Sequence, residues 1–172
     1  AFPNDPTRSQ DSDGDGYDDL EDDCRFAAGN STEDRLACPD TDADGYSDAT
    51  IAVGNETGWS ISDGADAFPI EPSQWNDSDG DGYGDELGGF QGDDCPTEEG
   101  YSNVGTFGCP DGDNDGVSQD GDAFPGDDSQ WNDTDGDGYG DNPNGTTPDS
   151  CILIIGVSTI DRYGCPDEDG DG

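Results

Sequence analysis

The chain has 172 residues and contains no histidine, no methionine and no lysine; its four cationic side chains are all arginine, against 45 acids, for a formal net charge of −41. Without imidazole or lysine there is no Ser-His or Cys-His pair and no Schiff-base amine. No phosphate-cradling glycine loop is present either, so an enzyme is not expected. The sign of the charge excludes nucleic acid as a partner. Hydrophobic residues, cysteine included, make up 27% of the chain, too few for one large core. No run approaches the ~20 apolar residues of a membrane span, and no signal-peptide pattern is visible. The chain starts and stops in mid-pattern and is expected to belong to a longer polypeptide.

What the chain has in abundance is aspartate in register. By composition 8 acids are Glu and 45 − 8 = 37 are Asp. Six times the ladder Asp-x-Asp-x-Asp-Gly recurs: Asp11-Asp13-Asp15, Asp40-Asp42-Asp44, Asp77-Asp79-Asp81, Asp111-Asp113-Asp115, Asp133-Asp135-Asp137 and Asp167-Asp169-Asp171. Carboxylates at alternate positions converge on one point only if the chain curls tightly, and glycine at the sixth position permits the curl. This is the ligand logic of a Ca²⁺ loop, with hard oxygen donors at positions 1, 3 and 5. Position 7 supplies a backbone carbonyl and falls on Tyr17, Tyr46, Tyr83, Val117 and Tyr139. Position 9 is Asp19, Asp48, Asp85 and Asp141, with Gln119 in the fourth loop. The closing acid is Asp22 in the first loop and Asp122 in the fourth; insertions displace it elsewhere, and the landmarks that follow select Asp66, Asp93 and Asp149. Gly, Pro and Asp crowd both flanks of each loop, so EF-hand helices are not expected. Low hydrophobicity with high charge predicts disorder without metal. With metal, the repulsion is neutralised locally and binding energy becomes folding energy.

The six cysteines carry a second pattern. Cys24 and Cys38, Cys95 and Cys109, and Cys151 and Cys165 are each 14 apart, within Cys-x4-Gly-x-Ser-x6-Cys-Pro-Asp. Six cysteines allow 15 pairings; the repetition favours these three local bridges, each stabilising by about 3 kcal/mol in the chain-entropy model. A metal–thiolate site competes poorly, since there is neither His nor Cys-x2-Cys. Disulfides imply an oxidising compartment, outside the cell or at its surface.

A third landmark sets the frame. Ala1-Phe2-Pro3, Ala67-Phe68-Pro69 and Ala123-Phe124-Pro125 precede successive ladders, and the last two lead into Ser-Gln-Trp-Asn at Trp75 and Trp131. This gives three units, 1–65, 66–121 and a truncated 122–172, with insertions at 49–61, 86–92 and 142–148. Phe68, Trp75, Phe124 and Trp131 are expected as small plugs between loops. The first insertion alternates Ile51, Val53, then Trp59, Ile61 about a Gly-rich turn, which reads as a β-hairpin over 50–61. Ile152–Ile155 is either a local plug or an exposed assembly patch. Asn30, Asn55, Asn76, Asn132 and Asn144 stand in Asn-x-Ser/Thr sequons and are candidate glycan acceptors.

The Asp-x-Asp-x-Asp-Gly-x-x-Asp…Asp-x-Cys ladder resembles thrombospondin type 3 repeats. Asp161–Asp167 and the Asp-Ala-Phe-Pro units look like their prokaryotic surface-protein relatives. The resemblance implies a mostly irregular, elongated tandem repeat wound around a line of Ca²⁺ ions, acting as a stalk, spacer or adhesive segment. It also implies that acids such as Asp5, Asp23, Glu71, Asp94 and Asp127 serve second ions. Three function classes follow: a Ca²⁺-stiffened stalk or filament segment, a Ca²⁺-dependent adhesion module for glycans or proteins, and an acidic buffer or mineral nucleator. The first is favoured, with head-to-tail self-association or continuation in a longer chain.

Overall fold

The computed structural model describes residues 10–51 and 57–172. The chain falls into two compact units, Ala1–Gly92 and Asp93–Gly172. The repeat frame is a different division, by sequence pattern rather than compactness.

Regular structure is nearly absent, as the Gly, Pro and Asp content leads one to expect. Among the described residues there is no α-helix and no sheet; a single 3-10 turn spans Ile61–Asp63. Isolated bridges join Thr50 with Trp59, Gly84 with Gly92, Val104 with Val117 and Gly140 with Pro148. Of the expected hairpin, the described residues show the first of these, in which Thr50 and Trp59 exchange two backbone bonds of 2.8 Å. Beyond Trp59 the strand pattern fails because Ser60 turns the chain. Asp63 accepts from the Ser60 N–H at 3.2 Å and its hydroxyl at 2.5 Å, winding Ile61 into the 3-10 turn. Residues 52–56 of that insertion, with Asn55, lie outside the described residues, as do Ala1-Phe2-Pro3 and Asp5.

The interior is polar. Among the described residues the buried apolar ones are four cysteines, Ala37 and Ala65, while Gln74 and Gln130 head the largest fully buried side chains. Each glutamine amide is consumed by backbone. Gln74 Nε2 donates to the carbonyls of Glu86 (2.9 Å) and Phe90 (3.3 Å), and its Oε1 accepts from the Glu86 N–H (3.0 Å). Gln130 does the same with Asn142 and Thr146, at 2.9 to 3.1 Å. The glutamines hold the insertions, a role that a reading of Ser-Gln-Trp-Asn through its aromatic residue does not reveal. Phe68, Phe124 and Trp75 are half-buried, and Trp75 stacks on Tyr46 at 4.7 Å with an interplanar angle of 6°. Trp131 is no plug: it is 37% exposed.

Three disulfides, Cys24–Cys38, Cys95–Cys109 and Cys151–Cys165, staple the loops between ladders. Their motif has a backbone explanation. A Cβ on Gly29 would lie 1.9 Å from the Cys38 carbonyl carbon, and one on Gly100 2.0 Å from that of Cys109, so nothing larger than glycine passes there. The buried hydroxyls of Ser31 and Ser102 accept from the Cys38 and Cys109 N–H at 3.0 Å and donate to the carbonyls of Arg35 and Thr106. The apolar run inside the third loop faces solvent: Ile152 is 42% and Leu153 76% exposed.

Candidate metal centres

Each ladder is wound by its first aspartate. In all six copies its Oδ1 accepts from the N–H of position 4, at 2.6 to 2.9 Å. In five its Oδ2 accepts from position 6, at 2.8 to 3.1 Å. These bonds impose left-handed backbone at both donor positions. The sixth-position glycines lie at φ of 93° to 103°. The fourth position is left-handed as well, at 65° to 88°, and is Gly14, Ala43, Gly80, Asn114, Gly136 and Gly170. Glycine and asparagine tolerate that region and alanine enters it only at a cost, so position 4 is a second signature of the loop. The position-5 carboxylate then accepts from the position-7 N–H at 2.8 to 3.0 Å, at Tyr17, Tyr46, Tyr83, Val117 and Tyr139. Finally the position-9 N–H closes on the carbonyl of the residue before the ladder. This bond is 2.8 to 3.0 Å in five loops, Gln119 included.

The curl brings together one carboxylate oxygen from each of positions 1, 3 and 5. Asp11-Asp13-Asp15, Asp40-Asp42-Asp44, Asp77-Asp79-Asp81, Asp111-Asp113-Asp115 and Asp133-Asp135-Asp137 each have these atoms within 4.8 Å of one another. The closing acids share one geometry regardless of the insertion before them. Asp22, Asp66, Asp93, Asp122 and Asp149 each accept, through Oδ1, the N–H two residues ahead at 2.6 to 2.7 Å. Charge then places three of them against their ladders: Asp66 is repelled by Asp44, Asp42 and Asp48, Asp122 by Asp115, and Asp149 by Asp135.

The position-9 acids are used differently. Asp19, Asp48, Asp85 and Asp141 each accept from the backbone N–H and the hydroxyl at position 2, namely Ser12, Thr41, Ser78 and Thr134. Both oxygens of each carboxylate thus have a partner inside the loop, which makes the residue a clamp on the curl. The fourth loop lacks both halves of the clamp together, with Gly112 at position 2 and Gln119 at position 9. The sequon at Asn76 belongs to this machinery, since its Nδ2 donates to Asp85 at 2.5 Å. Among the acids matched to second ions, Asp23 and Asp94 hold the N–H groups of Leu36 and Phe107, while Glu71 and Asp127 hold Ser73 and Ser129.

Whether a metal fits is decided by the oxygens that remain. The Oδ2 atoms of Asp13, Asp42, Asp44, Asp66, Asp113 and Asp115 and both carboxylate oxygens of Asp135 are buried and receive no hydrogen bond. A buried anionic oxygen without a donor is costly, and here such oxygens cluster with others of the same sign. The penalty shows in the protonation equilibria. Burial, reinforced by neighbouring acids, raises the pKa of Asp13, Asp42, Asp44, Asp115 and Asp135, and pushes Asp66 up to about 7. A hard cation at each cluster removes both costs at once.

No protein-family model matches the chain, and no curated protein matches it. The chemistry is then read from the donor set: carboxylate oxygens, converging at repeated Asp triads on an irregular, disulfide-stapled chain. Such sites could hold metal ions with a preference for oxygen.

Proposed function

We propose that this chain is an extracellular calcium-binding repeat segment, a stalk or filament piece made rigid by Ca²⁺ and local disulfides. The observation that carries the reading is the set of buried, donor-less carboxylate oxygens converging within the ladders. Oxygen-only, multi-carboxylate loops of variable closure suit the six to eight flexible ligands of Ca²⁺ better than the strict octahedron of Mg²⁺. The likeness of the ladder to thrombospondin type 3 repeats supports the same ion. Three disulfides argue for an oxidising environment, and among the described residues no helix is long and apolar enough to cross a membrane. We assign the chain no catalytic role. Its work is mechanical: each ion ties carboxylates that otherwise repel, and binding is folding.

Small-angle scattering and circular dichroism with Ca²⁺, Mg²⁺ and excess chelator test this. Chelation should expand the chain and Ca²⁺ should restore it, with Mg²⁺ failing at equal concentration. A chain of unchanged dimensions under chelation refutes the reading. An adhesive role is the second reading. It is favoured by an apolar groove of about 550 Å³ lined by Phe68, Pro69, Ile70, Tyr83 and Phe90, and saturable glycan or protein binding removed by Phe90→Ala tests it.

A further inference from the structure

The ladders are not equivalent in what they leave for a cation, and the difference lies at position 5. In the first loop the Oδ2 of Asp15 already accepts the Gly29 N–H of the disulfide loop at 3.2 Å, and in the fifth the Oδ2 of Asp137 accepts the Gly156 N–H at 2.9 Å. In the loops beginning at Asp40 and Asp111 no such donor reaches position 5. Asp44 Oδ2 and Asp115 Oδ2 are buried without a partner. The Asp40 loop goes further. Its closing acid, Asp66, is 2% exposed, and its Oδ2 is also buried and donor-less. Asp42, Asp44 and Asp66 thus offer three such oxygens, against two at Asp113 and Asp115, two at Asp135, and one at Asp13; in the third loop the buried Oδ2 atoms are two, on Asp79 and Asp93, and both residues have other partners.

We propose that the chain carries graded cation sites and that the Asp42–Asp44–Asp66 site is the retained one, filling first and emptying last. This rests on the calcium reading above. Every donor-less buried carboxylate oxygen raises the free energy of the metal-free fold, and a cation relieves all of those it touches. The site with three therefore gains most from occupancy. Where a backbone N–H already serves the oxygen, as at Asp15, there is less to gain. The hierarchy has a local consequence. Asp66 lies 66 − 44 = 22 residues beyond Asp44, and the intervening chain includes Trp59, whose ring is covered by the Arg35 guanidinium at 5.2 Å. The retained ion therefore keeps the Thr50–Trp59 bridge in place while other loops are empty.

The test is a titration of the full, oxidised chain with Ca²⁺ by calorimetry, alongside Tb³⁺ emission excited through tryptophan. Trp75 stacks on Tyr46, whose carbonyl occupies position 7 of this loop, so the site reports itself. The first equivalent is expected to bind at least tenfold more tightly than the rest. Asp66→Asn should abolish that class and Asp15→Asn should leave it. A second measurement needs no variant. As chelator is raised on the wild-type chain, the amides of Thr50, Trp59 and Phe68 should remain protected from hydrogen exchange after that of Gly29 has become labile. One affinity class, a tight class that survives Asp66→Asn, or exchange at Thr50 and Phe68 preceding that at Gly29 overturns the hierarchy and leaves the calcium reading standing. No Ca²⁺ binding at all overturns the calcium reading itself.

Discussion

Replacing Ala43 with glycine should strengthen the protein, although the substitution removes a side-chain atom and adds no contact. Ala43 sits at position 4 of the second ladder with φ of 67°, where four other ladders have glycine and one has Asn114. Left-handed backbone costs an L-residue roughly 1–2 kcal/mol. Glycine recovers that cost but surrenders about 0.5–1 kcal/mol of extra unfolded-state freedom. The net expected gain is about 0.5–1 kcal/mol, equivalent to about a threefold tighter cation at that loop. The mirror substitution supplies the control. Gly80 occupies the same position in the third ladder at φ of 86°, and a Cβ added there would have nothing within 4 Å. Gly80→Ala therefore carries the backbone penalty without a clash and should lose about what Ala43→Gly gains. Urea unfolding in saturating Ca²⁺ reads both as shifts of midpoint in opposite directions at unchanged slope. If the two variants move the same way, or if Ala43→Gly lowers the midpoint, the first aspartate's bonds do not set the backbone and the account of the curl is wrong.

Three further outcomes follow from the same geometry. In chelated protein, the expansion should be smaller at about pH 4 than at about pH 7. Asp66, with its folded pKa pushed to about 7 by burial and by Asp44, Asp42 and Asp48, is protonated in the compact form at low pH and so costs it less there; a scattering radius that is flat or falls across this window contradicts it. Gly29→Ala should cost about 3 kcal/mol, because the new Cβ falls 1.9 Å from the Cys38 carbonyl carbon and backbone must move. Thermal melting with the bridge oxidised measures this, and a neutral result excludes the close approach. Gln74→Leu leaves the Glu86 and Phe90 carbonyls and the Glu86 N–H without their partner at about 1 kcal/mol each. Limited proteolysis should then cut within 86–92, whereas resistance equal to wild type assigns the hold on that insertion to something else.

The fold class is legible because a period of two in aspartate, broken by glycine at a fixed place, has few structural solutions. The local pairing of cysteines follows from one repeated interval. The finer parts are hidden for physical reasons. Position 4 reads as a free x until its φ is known, although its Gly, Ala and Asn content is the available clue. The clamping role of the position-9 aspartates is hidden because a carboxylate that grips a loop and one that offers oxygen to a cation are the same residue type. Only the joint appearance of Ser or Thr at position 2, and the joint loss at Gly112 and Gln119, separates them. Gln74 and Gln130 escape notice beside a tryptophan because burial is ordinarily an apolar property, and here the interior is made of backbone and amides. The second arm of the hairpin stops at Trp59 because alternation at Trp59 and Ile61 is outweighed by the turn that Ser60 and Asp63 make around them.

The closing acid of each loop is presented by its own small turn, a carboxylate gripping the N–H two residues ahead. Its orientation is therefore set independently of how far along the chain it stands. From the position-9 acid to the closing acid the interval is 149 − 141 = 8 residues in the fifth loop and 66 − 48 = 18 in the second, and the same terminal geometry serves both. Such a chain can lengthen at these points without redesigning its sites. In evolutionary terms the stretch before each closing acid is a permitted place for novelty. In engineering terms it is a ready graft point, where a foreign peptide can be displayed on a scaffold whose lock is indifferent to the cargo.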